Sequence, residues 1–162
     1  MRNYYGMMTT VPRTKWLNPA EMRAWLAYVT TSVDLQRAIE RDLEPFGLDG
    51  GDYQLLAMLS DATDRRMKMC DLADTLRLSR SGLTRRMEGV LRKKLVGRVQ
   101  SEGDKRVAYA VLTDKGMNLL RNVAPHHVDS VRHHMIDRLN DTEIRALATA
   151  FEKIAKGLNE TH

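Results

Sequence analysis

Between residues 68 and 113 the hydrophobic period changes from helical to alternating, and that change constrains the fold more than anything else in the chain. Residues 69–76 read as a short helix. Arg77 and Leu78 make a turn, and Ser79 suits the N-cap of a following helix. In that helix Leu83, Met87, Val90 and Leu91 recur at three- and four-residue spacing and should face a core. Arg80, Ser81, Thr84, Arg85 and Glu88 then lie on the outer face. Residues 95–100 and 106–112 alternate as strands do, with Val107, Tyr109 and Val111 on one side and Ala108, Ala110 and Leu112 on the other. Residues 101–105 form the hairpin tip.

The charge follows the same segment. Of 26 Lys and Arg, ten fall in residues 77–106, beside only three acids. The remaining residues carry 16 bases and 18 acids, so the whole chain's net +5 is local. A basic helix beside a basic hairpin suits a DNA major groove with phosphates alongside. Ser79, Ser81 and Thr84 can bond phosphates or base edges, and Arg80 and Arg85 can neutralise phosphates or read guanine. Arg86 either joins them or faces a neighbouring helix. Lys93 and Lys94 suit a helix C-terminus as solvated ends.

Amphipathic helices flank this segment. Asn18-Pro19-Ala20-Glu21 starts one, with Met22, Trp25, Leu26, Val29, Val33, Ile39 and Leu43 as its stripe and Pro45-Phe46-Gly47 as its stop. A second helix over about residues 51–60 takes Asp49 as cap and turns Leu55, Leu56 and Leu59 inward. Residues 61–66 look turn-like. Thr113 caps a fifth helix with Met117, Leu120, Val123, Val128, Val131, Met135 and Leu139 inward, and Pro125 predicts a kink or break within it. A sixth helix starts at Asn140-Asp141-Thr142-Glu143 and carries Ile144, Leu147, Phe151, Ile154 and Leu158.

The expected fold class is mainly α with a small β-hairpin wing: a winged helix–turn–helix core flanked by N- and C-terminal dimerisation helices. Its expected parts are a flexible N-terminal arm (1–17), an N-terminal dimerisation helix (18–45), the winged helix–turn–helix DNA-binding domain (46–112) and C-terminal dimerisation helices (113–162).

Other chemistries find little support. Cys70 is the only cysteine, which excludes an internal disulfide and fits a reducing cytoplasm. It is expected to be a small buried residue, with a redox switch as the alternative. No run is long and apolar enough to span a membrane, and the first 17 residues lack a signal-peptide core. His126, His127, His133 and His134 invite a metal, but equivalent partners stand seven apart, about 10 Å along a helix. No metal or cofactor is therefore expected. Without a glycine-rich phosphate loop or a nucleophile–base set, neither is an enzyme. Trp25, Tyr28 and Tyr53 are candidate contacts for a small ligand, although helical aromatics more often serve as core or interface.

The pattern resembles the multiple-antibiotic-resistance regulator (MarR) family of bacterial winged-helix transcription factors. The resemblance rests on Leu72-Ala73, Leu78-Ser79, Leu83-Thr84-Arg85, Leu91, Leu95-Val96, Arg98, Asp104-Lys105-Arg106 and Leu112-Thr113 with Gly116. It implies that Thr84 and Arg85 face DNA, that Arg106 sits in or beside the minor groove, and that Asp104 orients arginines by ion pairing. It further implies a homodimer on a pseudo-palindromic, promoter-proximal operator, most often as a repressor, with DNA released by a small aromatic or phenolic ligand. An architectural or protein-interaction winged helix without a specific operator is the alternative. The chain departs from the family pattern at four places. Lys94 replaces a glycine, so that turn should differ or be strained. Gly97 replaces an acid, the proline before the wing tip is missing, and Met69 replaces a Ser/Thr cap.

Overall fold

The computed structural model describes residues 14–101 and 103–160. Most of the expected N-terminal arm, residues 1–13 with Tyr4 and Tyr5, lies outside them. Two compact units are defined, the first ending at Asp34 and the second running from Leu35.

Helix α1 (Pro19–Leu43) starts as its sequence predicts. The Glu21 N–H donates to the Asn18 side chain (3.0 Å), and the Asn18 N–H donates back to the Glu21 carboxylate (2.8 Å). In the first unit α1 leaves Trp25, Leu26, Val29 and Val33 exposed.

In the second unit α1 ends on buried Leu43, and a short turn of 3-10 helix (Glu44–Phe46) closes on Gly47, whose φ of +69° favours glycine. Helix α2 (Gly50–Asp61) is capped by Asp49, which accepts from the Asp52 N–H at 2.7 Å. Strand β1 (Arg66–Lys68), helix α3 (Met69–Thr75), helix α4 (Arg80–Arg92), strands β2 (Val96–Gln100) and β3 (Ala108–Leu112), helix α5 (Asp114–His134) and helix α6 (Asp141–Asn159) follow. The antiparallel sheet has the order β1-β3-β2, with Val96 opposite Leu112 and Met67 opposite Ala110.

One core joins these pieces. Leu55, Leu56 and Leu59 of α2, Leu72 of α3, Leu83 and Val90 of α4, Val96 and Ala110 of the sheet and Val123 of α5 are all buried. Each such leucine contributes about 1.5–3 kcal/mol of apolar burial, so the core holds α4 in place from behind. Helix α5 is tied to residues 42–53. The Ser130 hydroxyl donates to Asp42 (2.6 Å) and His134 Nε2 lies 2.9 Å from the same oxygen. The His126 ring lies on Phe46 and the His127 ring on Tyr53, with centroids 4.9 and 4.0 Å apart.

Four expectations need correction. The β2–β3 hairpin of the wing gains a third strand: Arg66, the last residue of the stretch taken as turn, pairs together with Met67 and Lys68 along the free edge of β3. Of the kink or break expected at Pro125, the break is absent: α5 runs on to His134, with Leu120 and Val123 buried before the proline and Ser130 after it. The interruption falls instead at Met135 (φ −132°, ψ −65°). Val128, expected inward, is exposed. So is Cys70, because α3 turns Leu72 and Ala73 to the core and leaves the thiol beside the Asp71 carboxylate (3.2 Å).

Candidate nucleic-acid interface

The helix–turn–helix is α3, the turn and α4. The N-cap of α3 is Lys68 rather than Met69 and makes no side-chain cap bond, whereas the N-cap of α4 is Ser79, whose hydroxyl accepts from the Gly82 N–H at 3.0 Å. Leu83, Met87 and Val90 bury one face of α4; Arg80, Ser81, Thr84 and Arg85 are exposed on the other. Thr84 also donates to the Arg80 carbonyl at 2.9 Å, which fixes its rotamer.

Both helix ends around this motif close in the same way. After α3, the Leu78 N–H donates to the Ala73 carbonyl (2.9 Å) and the Arg77 N–H to Asp74 (3.1 Å), with Arg77 at φ +53°. After α4, the Leu95 N–H donates to Val90 (2.9 Å) and the Lys94 N–H to Leu91 (2.9 Å), with Lys94 at φ +56°. These are Schellman ends, which normally place glycine at the left-handed residue. The strained turn is the outcome at Lys94.

Arg86 faces a neighbouring helix. Its guanidinium bonds both Asp49 and Asp52 of α2, and at Asp52 the distance is 3.2 Å. Lys93, one heptad further along α4, reaches Asp52 at 3.1 Å and the Gly47 carbonyl at 2.7 Å. Asp52 is only 6% exposed, so these two cations compensate a buried carboxylate. Burial pushes the Asp49 carboxyl up, but the Arg86 guanidinium and the Asp52 N–H outweigh it, and the net shift is downward. The hydrogen bond to Asp49 raises Arg86 in return. Gly51 makes room for the pair, since a Cβ there would lie 2.5 Å from the guanidinium carbon. Sequence spacing held one clue to this cluster: Arg86 and Lys93, seven apart, share a side of α4, and Asp49 and Asp52 share the first turn of α2.

On the wing, Arg98 is exposed on β2, and Lys105 and Arg106 are exposed at the tip. Asp104 accepts from the Arg106 backbone N–H at 2.9 Å and so shapes the turn; among the described residues it pairs with no guanidinium. The Leu112-Thr113-x-x-Gly116 exit has a steric reason. The Thr113 hydroxyl caps α5 at the Gly116 N–H (3.0 Å) and donates to the Lys94 carbonyl (2.9 Å). A Cβ on Gly116 would fall 2.1 Å from the Leu95 carbonyl oxygen.

Of the candidate ligand contacts, Trp25 and Tyr28 are neighbours on α1, with ring centroids 6.1 Å apart. Tyr53 is half-buried against His127, and burial raises its phenol pKa. Among the described residues no three His, Cys, Asp or Glu side chains gather as a metal site, and no helix is long and apolar enough to cross a membrane.

No family model matches the chain. Individual proteins do. The chain is 39% identical to AbsC, a MarR family transcriptional regulator from Streptomyces coelicolor, over 91% of this chain and 99% of that one, with a TM-score of 0.86. It is 32% identical to Sco3205, a MarR family transcriptional regulator from the same organism solved in complex with DNA, over 91% and 93%, with a TM-score of 0.86. It is 24% identical to the HTH-type transcriptional repressor YetL of Bacillus subtilis, over 86% of this chain and 85% of the relative. With that fold, those exposed cations and likeness over almost the whole length, the chain belongs to the MarR family of transcriptional regulators.

Proposed function

We propose that this regulator binds double-stranded DNA as a homodimer, at pseudo-palindromic operators near promoters, and represses transcription there until a small aromatic or phenolic ligand releases it. The observation that carries the reading is the face of α4. Ser79, Arg80, Ser81, Thr84 and Arg85 are exposed on a helix whose other side is locked into the core, in a chain 32% identical to a regulator solved on DNA. In this role Arg85 and Thr84 contact base edges or phosphates, and Arg98, Lys105 and Arg106 carry the wing along the backbone, with Asp104 shaping its tip. Arg86 is a positioning residue: its bonds to Asp49 and Asp52 set the seat of α4 rather than touch DNA.

The terminal helices support the dimer. Helix α6 buries none of its residues and leaves Ile154 and Leu158 exposed, and α1 leaves Trp25, Leu26, Val29 and Val33 exposed. Apolar stripes of this kind are covered in symmetric assemblies, and two-fold dimers match the two-fold symmetry of a palindromic site. Release follows if the ligand prefers a dimer geometry that does not fit DNA. Trp25 and Tyr28 in the first unit are one candidate contact pair for such a ligand, and Tyr53 in the second unit is a separate candidate. Tyr53, its phenol pKa raised by burial, presents a hydroxyl donor.

Genomic DNA fragments captured by the purified protein test the reading. An inverted repeat upstream of its own or a neighbouring gene is the expected result. Recovery without sequence preference, with steep salt dependence, would indicate the architectural alternative. Arg85→Ala should weaken binding to a recovered site by about 1–3 kcal/mol, and Arg106→Ala by a similar amount where the wing is engaged. A thermal-shift screen of phenolic acids tests ligand release, with loss of DNA binding expected for any compound that stabilises the protein.

A further inference from the structure

We infer that Arg77, in the turn before the recognition helix, is an anchor for a DNA backbone phosphate; this rests on the DNA-binding reading of α4. Among the described residues, four other than glycine have left-handed backbones: Asp64, Arg65, Arg77 and Lys94. Aspartate tolerates that region through local hydrogen bonding. Arg65 uses its guanidinium inside the fold, 3.2 Å from Asp114. Arg77 has no such use. Its side chain is exposed and, among the described residues, makes no hydrogen bond or ion pair. A glycine would close the same Schellman end without strain, so the backbone gains nothing from arginine there. The Lys94 side chain is equally exposed and makes no hydrogen bond or ion pair among the described residues, so the strain by itself assigns no task; the place of Arg77 in the fold does.

Location identifies the task. Arg77 stands two residues before the Ser79 cap, at the end of α4 that enters the groove in helix–turn–helix docking. The exposed Arg80 and Ser81 follow at once. A long cation flanking the groove-facing turn meets the phosphate rim, and the N-terminus of α4 favours an anion in the same place. Lys94 has the same strain at the opposite end of the 13-residue helix. That end is about 20 Å away. It therefore serves as the internal control.

The probe is the pool of duplexes that the wild-type protein enriches from random-sequence DNA. Arg77→Gln keeps the strained backbone and removes the charge; Arg77→Gly removes both; Lys94→Gly removes the same strain at the far end. Both Arg77 variants should bind about fivefold more weakly per anchor near 0.15 M salt. The slope of log affinity against log salt should be smaller by about one for each Arg77 engaged. Arg77→Gly and Lys94→Gly should each melt roughly 2–4 °C higher. Lys94→Gly should keep wild-type affinity and slope. Arg77→Gln with wild-type affinity and slope overturns the anchor, and so does Lys94→Gly losing as much as the Arg77 variants. A wild-type protein that enriches no duplex fails one step earlier, at DNA binding itself, and removes the anchor with it.

Discussion

Helices α4 and α6 are both amphipathic, yet they finish their apolar faces in different ways. Helix α4 buries Leu83, Met87 and Val90 against its own chain and bolts Arg86 and Lys93 to α2. Helix α6 has a complete capping box at Asn140 and Glu143, but Ile154 and Leu158 stay 56% and 62% exposed. A helix whose stripe is closed internally can offer its other face to a ligand in a fixed pose. A helix whose stripe is open is still waiting for a surface. The difference fits the proposed roles: α4 presents its outer face in a fixed pose, and α6 carries an open apolar stripe that the proposed dimer would cover.

The largest expected effect tests the closed side. Leu83→Ala should cost about 2–5 kcal/mol in urea unfolding, because a nearly inaccessible leucine leaves a cavity. That loss should not change with protein concentration. The open side should behave in the opposite way. Ile154→Asp should weaken the dimer by on the order of 2 kcal/mol, seen as a shift toward monomer in sedimentation, and its effect on melting should grow on dilution. Concentration-independent behaviour of both variants would erase the contrast.

Arg86→Ala probes the bolt. It should cost about 1–2 kcal/mol, since Asp52 is buried but keeps Lys93. A neutral result would mean that the bridge to α2 does not hold α4.

The smallest effect concerns α5, which lies between the two cases. Burial lowers the His127 pKa, and its Nδ1 has no partner among the described residues. As pH falls below the ordinary value of 6.5, the unfolded chain takes up a proton that the folded chain resists. Stability should therefore be complete above that pH and decline below it. His127→Phe, which keeps a ring on Tyr53, should flatten the decline in chemical-denaturation series between pH 7.5 and 5.5, values chosen to bracket that titration at about one unit on either side. Asp42 acts in a separate window. The Ser130 hydroxyl and then His134 lower its carboxyl, so its contribution is present above the ordinary 3.8 and lost as pH falls through the lowered value.

Much of this was legible in the chain. Asn18, Asp49, Ser79, Thr113 and Asn140 all cap the helices whose starts they mark in the sequence, because a cap bonds backbone two or three residues away. The outward set Arg80, Ser81, Thr84 and Arg85 followed from the spacing of Leu83, Met87 and Val90, which the core then satisfied. Glycine 116 was visible as a motif, while its reason, the Leu95 carbonyl behind it, was not.

Short-range chemistry thus determined the element order, the helix starts and the basic face, since capping and periodicity act within one or two turns. Tertiary structure alone decided what depends on residues far apart in the chain. Strand β1 exists because β3 offers an open edge to residues 66–68, which carry no strand pattern of their own. The exposure of Cys70 was settled by which side of α3 the core occupied. Arg86 found its acids 34 and 37 residues away, and so left Arg85 and Arg86, adjacent in sequence, with opposite surroundings. Neighbouring positions on a helix point about 100° apart, and only the packed fold says which of those directions meets an aspartate and which meets solvent.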